Sequence, residues 1–325
     1  MSWHKLKLFL VALILASFSY SITNPDNDND SGDDYTPSWY SFDWLASDGY
    51  SGLENPRSIM RVSFEIGGIG SSRGFQLCLD VRENYIYESY FDDLLWRKPG
   101  FEDNVISLQG AGRTRRRVLE EAGLTIRGDT LGHADFNVIE GFNEPENVEV
   151  SGFIGYDFFR ATRKIVAIDH KSSQVAFMDK LPEKWKEKAH LIDMGSSPSF
   201  LSLRVRANRS RISLSFDGEP TPALILYRRW DFQRLALNES VEDSLKYSFP
   251  RSDEHMMLGG YKPQRDLYFG PYKLKSHNVY RMPEKDHRIG GEDGLISQAF
   301  FEDYILILDY RRGNFGIVPP SVLDN

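Results

Sequence analysis

The sequence predicts an all-β protein with minor α content, built as two duplicated β lobes facing each other. Three observations predict it: apolar residues recur with period two rather than 3.6, helical signals are few and short, and three segments recur at nearly one spacing. Composition agrees, since 41% hydrophobic residues with 21 Phe, 16 Tyr and 6 Trp exclude disordered, collagen-like and coiled-coil chains. At about 150 residues per domain, 325 residues suggest two units. A balance of 39 Lys and Arg against 47 Asp and Glu argues against a nucleic-acid partner, whose phosphates need neutralising by basic side chains.

In chain order, His4, Lys5 and Lys7 precede the apolar run Leu8 to Ala16 and the small residues Ser17, Ser19 and Ser21. Residues 1–21 therefore read as an export signal cleaved after Ser19 or Ser21, and about ten apolar residues fall short of the roughly 20 needed to span a bilayer. The expected product is secreted, or held in the secretory-pathway lumen, and free of the membrane. Losing Lys5 and Lys7 leaves 37 basic against 47 acidic residues, a net charge of −10. Residues 22–55 are expected to form an acidic and aromatic N-terminal extension. Within it Asn24 to Tyr35 is polar enough for a disordered linker, and Tyr35 to Asn55 is aromatic but irregular. Asp26, Asp28 and Asp30 resemble the start of a calcium loop, but Gly32 stands one place late and the twelfth-position Glu is missing. Asn29, Asn208 and Asn238 begin glycosylation sequons, a mark of surface loops in a eukaryotic secretory pathway.

The first lobe is placed at residues 56–190. Met60, Val62, Phe64 and Ile66 alternate with polar residues, as do Phe75, Leu77 and Leu79, so both runs read as half-buried strands joined through Gly67 to Gly74. That glycine-rich link lacks GxGxxG spacing and leads into a strand, which excludes a phosphate loop. The best helical signals are Arg115 to Ala122 and Pro182 to Ala189. The second lobe occupies residues 191–325 and repeats the first. Gly152 to Phe159 aligns without a gap on Gly294 to Phe301, Ile165 to His170 on Ile305 to Tyr310, and Val175 to Phe177 on Phe315 to Ile317. Upstream, Val62 to Gly67 is matched to Ile212 to Gly218, each leading to a second apolar strand that ends at Asp80 and Tyr227.

These segments resemble the pepsin-like aspartic peptidases over roughly residues 56 to 320. Phe75-Gln-Leu-Cys-Leu-Asp80-Val-Arg82 looks like that family's first Asp-Thr/Ser-Gly turn, and Gly152-Phe-Ile-Gly155 like its hydrophobic-hydrophobic-Gly segment. Leu295 to Tyr304, Ile307 to Tyr310 and Phe315 to Pro319 look like its closing pattern. The resemblance implies a bilobal acid-protease fold in which two carboxylates, one per lobe, share a proton. One activates water while the other protonates the substrate.

The sequence departs from that pattern at the turns themselves. Asp80 is kept at the catalytic position, but Val81 replaces the hydroxyl and Arg82 the glycine. The second turn aligns as Leu226-Tyr227-Arg228-Arg229, with Tyr227 where the second Asp belongs. Two functions are open. One is a pseudopeptidase that binds peptide or protein in its cleft, where Arg82, Arg228 and Arg229 favour acidic ligands. The other is an active acid endopeptidase using Asp80 and an unassigned second carboxylate. Neither needs a cofactor or a metal, and the seven scattered histidines contain no HExxH. A monomer is expected. Cys78 reads as a buried free thiol, no GxSxG elbow occurs, and Arg113 to Arg117 reads as a solvated basic face.

Overall fold

Where alternation is strict, strands form. The computed structural model describes residues 35–45, 59–79, 81–109, 115–140, 149–194, 201–207, 209–218, 223–236, 241–248, 255–282 and 292–323. The expected signal peptide, the calcium-like aspartates, Asp80 and the sequons at Asn29, Asn208 and Asn238 lie outside these residues. Before Pro37 only Tyr35 and Thr36 are described, and Pro37–Asn325 forms a compact unit. The described residues are mostly β, with 15 strands in one sheet and nine in the other. Among the described residues no helix is long and apolar enough to cross a membrane.

The duplicated segments meet side by side in the larger sheet, as the third and fourth strands from one of its ends. Strands Ile165–Asp169 and Ile305–Asp309 are buried at every position, which explains their unbroken apolar sequence: both faces are covered. They pair antiparallel, Ile165 opposite Asp309 and Asp169 opposite Ile305, so that Ala167 faces Ile307, its own counterpart 140 residues on. A local two-fold axis therefore passes through that pair. Outward on each side follow the counterparts Gln174–Met178 and Asn314–Val318, then Trp39–Leu45 and His190–Asp193. The buried Asp169 and Asp309 are spent on turns: Asp169 Oδ1 accepts from the backbone N–H of Lys171 and Ser172 at 3.0 and 3.2 Å, and Asp309 Oδ1 from that of Arg312 at 2.9 Å.

Each half also holds a three-strand motif. Gly152–Ile154 runs parallel to Phe75–Leu77 and antiparallel to Tyr85–Tyr87. Gly294–Ser297 runs parallel to Ser210–Asp217 and antiparallel to Leu224–Leu226. Phe158, Phe159, Phe300 and Phe301 follow the two central strands and are fully buried in one core cluster. Burial of each ring contributes about 1.5–3 kcal/mol of transfer free energy.

Three expectations change. The helix expected at Arg115 to Ala122 is the first part of a strand, Arg115–Ile126. Its register slips between Leu119 and Ala122, where Glu121 takes a φ of 50°. The extra residue of this bulge brings Leu119 and Ala122, three apart, to the same buried face and so imitates helical spacing. The aromatic extension carries a strand, Trp39–Leu45, whose Tyr40 and Phe42 are buried while Ser41 and Asp43 are exposed. The lobe boundary at 190/191 falls within His190–Asp193, which pairs with Asn314–Val318 of the second half. The helix expected after Pro182 is present as Glu183–Lys188, and a longer one, Glu88–Arg97, was not foreseen.

Candidate functional site

The first central turn leaves strand Phe75–Leu77 through the buried Cys78, whose N–H donates to the Ile154 carbonyl at 3.0 Å. Past Asp80 the chain folds back over Gly155. Val81 and Arg82 accept from the N–H groups of Tyr156 and Asp157 at 2.9 and 3.0 Å. A Cβ on Gly155 would lie 2.5–2.7 Å from the carbonyl oxygens of Val81, Arg82 and Glu83, so the close approach of these backbones requires glycine. Asn84 completes the anchor. It is 5% exposed, its Oδ1 accepts from Gly155 N–H at 2.9 Å, and its Nδ2 donates to the Asp135 carbonyl at 3.1 Å. Asn137 Nδ2 donates to the Asn84 carbonyl at 3.2 Å. Sequence reasoning missed both asparagines; for Asn137 the available signal was an amide side chain within a strand, Asp129–Ile139, while Asn84 lies in the turn before Tyr85–Tyr87 and carried no periodic signal.

Arg82 turns to Asp157, with Nε 2.9 Å from Oδ2, and remains 69% exposed. The hydrogen bond and then the charge of Asp157 push its pKa further up. Arg228 pairs likewise with Asp293 at 2.5 Å, while Arg229 opens the helix Arg229–Leu235 and has no ion pair among the described residues. Two of the three arginines expected to favour acidic ligands are thus matched within the chain.

Strand register corrects the expected pairing of the two turns. Ile154 lies beside Leu77 and Ile296 beside Phe216, which makes Phe216 the counterpart of Leu77. Arg61 and Ser202 face the counterparts Gln76 and Ser215, so Val62 corresponds to Leu203, not Ile212. Tyr227 donates its N–H to the Asp293 carbonyl at 2.9 Å as Tyr87 does to that of Ser151 at 3.0 Å. Tyr227 is therefore the counterpart of Tyr87 and not of Asp80. Two residues beyond Leu77 and Phe216 stand Leu79 and Gly218, and the next residue in sequence is Asp80 in one half and Glu219 in the other. Glu219, like Asp80, lies outside the described residues. The mismatch arose because the motif has one parallel and one antiparallel flank, and a one-dimensional apolar pattern does not carry strand direction.

Away from these turns, a groove of about 740 Å³ lies on the first half, lined among others by Glu83, Arg116, Glu121, His133, Asp135 and Asp157. It contains neither Tyr227 nor any of the three expected cleft arginines. Of the basic run, Arg116 lines it and meets Glu83 at 3.2 Å, and the neighbouring Arg117 meets Glu88 and, at 3.0 Å, Glu140. Among the described residues no three His, Cys, Asp or Glu side chains are grouped to hold a metal ion.

Beside Arg228, Asp231 is 8% exposed at its side chain, and its only ion pair among the described residues is Arg234 at 3.6 Å. Burial, then the nearby Asp293 charge, raises its pKa against the opposing pull of Arg234 and Arg228. A carboxyl whose folded pKa is raised stabilises the fold below its ordinary range and loses that contribution as pH rises through the folded value. Asp231→Asn is expected to melt above the wild type at pH 7. That gain should vanish near about pH 3, where the native carboxyl is also neutral. Equal shifts at both pH values would show that the buried charge is not the cause.

In comparisons with known proteins, no family model matches the chain and no curated protein matches it.

Proposed function

We propose that the chain is an exported, pepsin-like bilobal protein that has lost peptidase chemistry and binds a peptide or protein segment between its halves, as a monomer without metal or cofactor. The observation that supports this most is the meeting of Ile165–Asp169 with its own repeat Ile305–Asp309 around a local two-fold axis, with one three-strand motif in each half. Such a duplication presents two equivalent turns, which is the arrangement a two-carboxylate site needs. Loss of chemistry follows from what succeeds each carboxylate: Val81 and Arg82 after Asp80, Pro220 and Thr221 after Glu219. Neither turn has a hydroxyl followed by glycine, and Arg82 is held by Asp157. With Tyr227 answering to Tyr87, Arg228 and Arg229 stand past the end of Leu224–Leu226 and not at the turn after Gly218, so the acidic preference expected from them does not carry over to this reading.

The corrected register favours a second reading, an acid endopeptidase in which Asp80 and Glu219 share the proton. One experiment separates the two. Digestion of unfolded casein from pH 3 to 6 is compared for the wild type, Asp80→Asn and Glu219→Gln, alongside calorimetry with a statine peptide and an acidic peptide. Peptide binding without acid-dependent cleavage is the expected result. Cleavage abolished in both variants would establish the second reading, and absence of both binding and cleavage would overturn the two together.

A further inference from the structure

The repeat is broken at its centre in a complementary way. After the duplicated Asp169 and Asp309 stand His170 and Tyr310, and after the duplicated Gly155 and Ser297 stand Tyr156 and Gln298. All four side chains of this second set are buried: His170 at 3%, Tyr310 at 6%, Tyr156 at 2% and Gln298 at 1% exposure. They form two unlike pairs across the halves. His170 Nε2 lies 2.9 Å from Gln298 Oε1, and the rings of Tyr156 and Tyr310 stack with centroids 6.3 Å apart.

Each pair reaches a central turn. Gln298 Nε2 donates to the Gly218 carbonyl, and Tyr310 Oη donates to the Leu79 carbonyl at 3.4 Å. Leu79 and Gly218 are the counterpart residues identified by register. The carbonyl of Leu79, in the first half, is therefore held by a side chain of the second. That of Gly218 is held by Gln298, which is itself held from the first half by His170. The chemistry of the amide fixes the direction. A backbone carbonyl only accepts, so Gln298 must present its NH2 to Gly218 and its oxygen to His170, which makes His170 Nε2 an N–H donor. Trp44 stacks on the imidazole with centroids 6.0 Å apart and an interplanar angle of 11°, keeping that ring in place.

We infer that His170, Gln298 and Tyr310 are positioning residues that set the two central turns from opposite halves, the first two as a directed His-to-amide-to-carbonyl chain. This rests on the bilobal reading, and it deepens it by naming what aligns the turns. Tyr310→Phe removes only the hydroxyl on Leu79. Gln298→Glu keeps an oxygen for His170 but presents a carboxylate to the Gly218 carbonyl, which can no longer receive an N–H. Hydrogen exchange by mass spectrometry is followed in peptides covering residues 75–84 and 213–226 of the full chain. Tyr310→Phe is expected to accelerate exchange about tenfold in the first peptide and leave the second unchanged, and Gln298→Glu to do the reverse. A merely structural role would speed both peptides together in either variant, and that result, or no change in either, would overturn the proposal. Nitrogen-15 spectra of histidine-labelled protein supply a second check, with an Nε2–H tautomer at His170 expected and an Nδ1–H tautomer contradicting the chain. Neither readout needs a ligand or an activity, so a failure here is distinct from a failure of peptide binding.

Discussion

Gly294→Ala and Gly152→Ala should each cost about 3–5 kcal/mol in urea unfolding, enough to leave either variant near the edge of folding. The two glycines begin the central strands of the duplicated three-strand motifs. A Cβ on Gly294 would lie 2.2 Å from the Ile225 carbonyl oxygen, and one on Gly152 would lie 2.1 Å from that of Tyr85. Ile225 and Tyr85 are themselves counterparts, paired with Leu295 and Phe153. The obstructing atoms are backbone, fixed by pairing on both sides, so no rotamer change relieves the overlap. Gly152 adds a φ of 156°, unfavourable for a residue with a side chain. Gly100→Ala is the matching control: nothing lies within 4 Å of its would-be Cβ, and the expected change is within about 0.5 kcal/mol. A Gly294→Ala protein within about 1 kcal/mol of the wild type would mean that the motif is looser than described.

Ala167→Asp is expected to abolish folding of both halves together, a loss of more than about 4 kcal/mol. Ala167 is fully buried on the local two-fold axis opposite the fully buried Ile307, within two strands buried at every position. A carboxylate there would be fully buried between the apolar strand partners Ala176 and Ile307, and keeping it neutral would require a strongly raised pKa. Ile307→Asp should behave identically because the axis makes the two positions partners. Limited proteolysis checks the coupling. A resistant fragment spanning residues 59–178 in Ile307→Asp would show that the first half folds alone, against the expectation of one cooperative unit.

Period-two alternation made the strands around Met60, Val62, Phe64 and Phe75 legible, and Pro182 marked the start of a real helix. The helix Glu88–Arg97 carried its own signal in the spacing of Tyr90, Phe91 and Leu94, all buried, but two adjacent aspartates and a tryptophan 80% exposed obscured it. The Arg115–Ile126 strand was misread because a bulge shifts its inward face by one residue. The expected counterpart of Asp80 was displaced to Tyr227 for a comparable reason: equivalence between repeats depends on which flank of the glycine strand is parallel, a relation between distant segments.

By itself the sequence determined the β class and showed segments recurring at nearly one spacing, because these follow from local periodicity and from counting between similar segments. Only the tertiary structure decided that Ala167 meets Ile307, that Tyr227 answers to Tyr87, that Arg82 and Arg228 are matched by Asp157 and Asp293, and that Gln298 and Tyr310 hold Gly218 and Leu79. Those relations are set by register and by polar groups seeking partners across 65 to 231 residues of chain, where the requirement that buried donors and acceptors be satisfied acts without leaving a periodic trace.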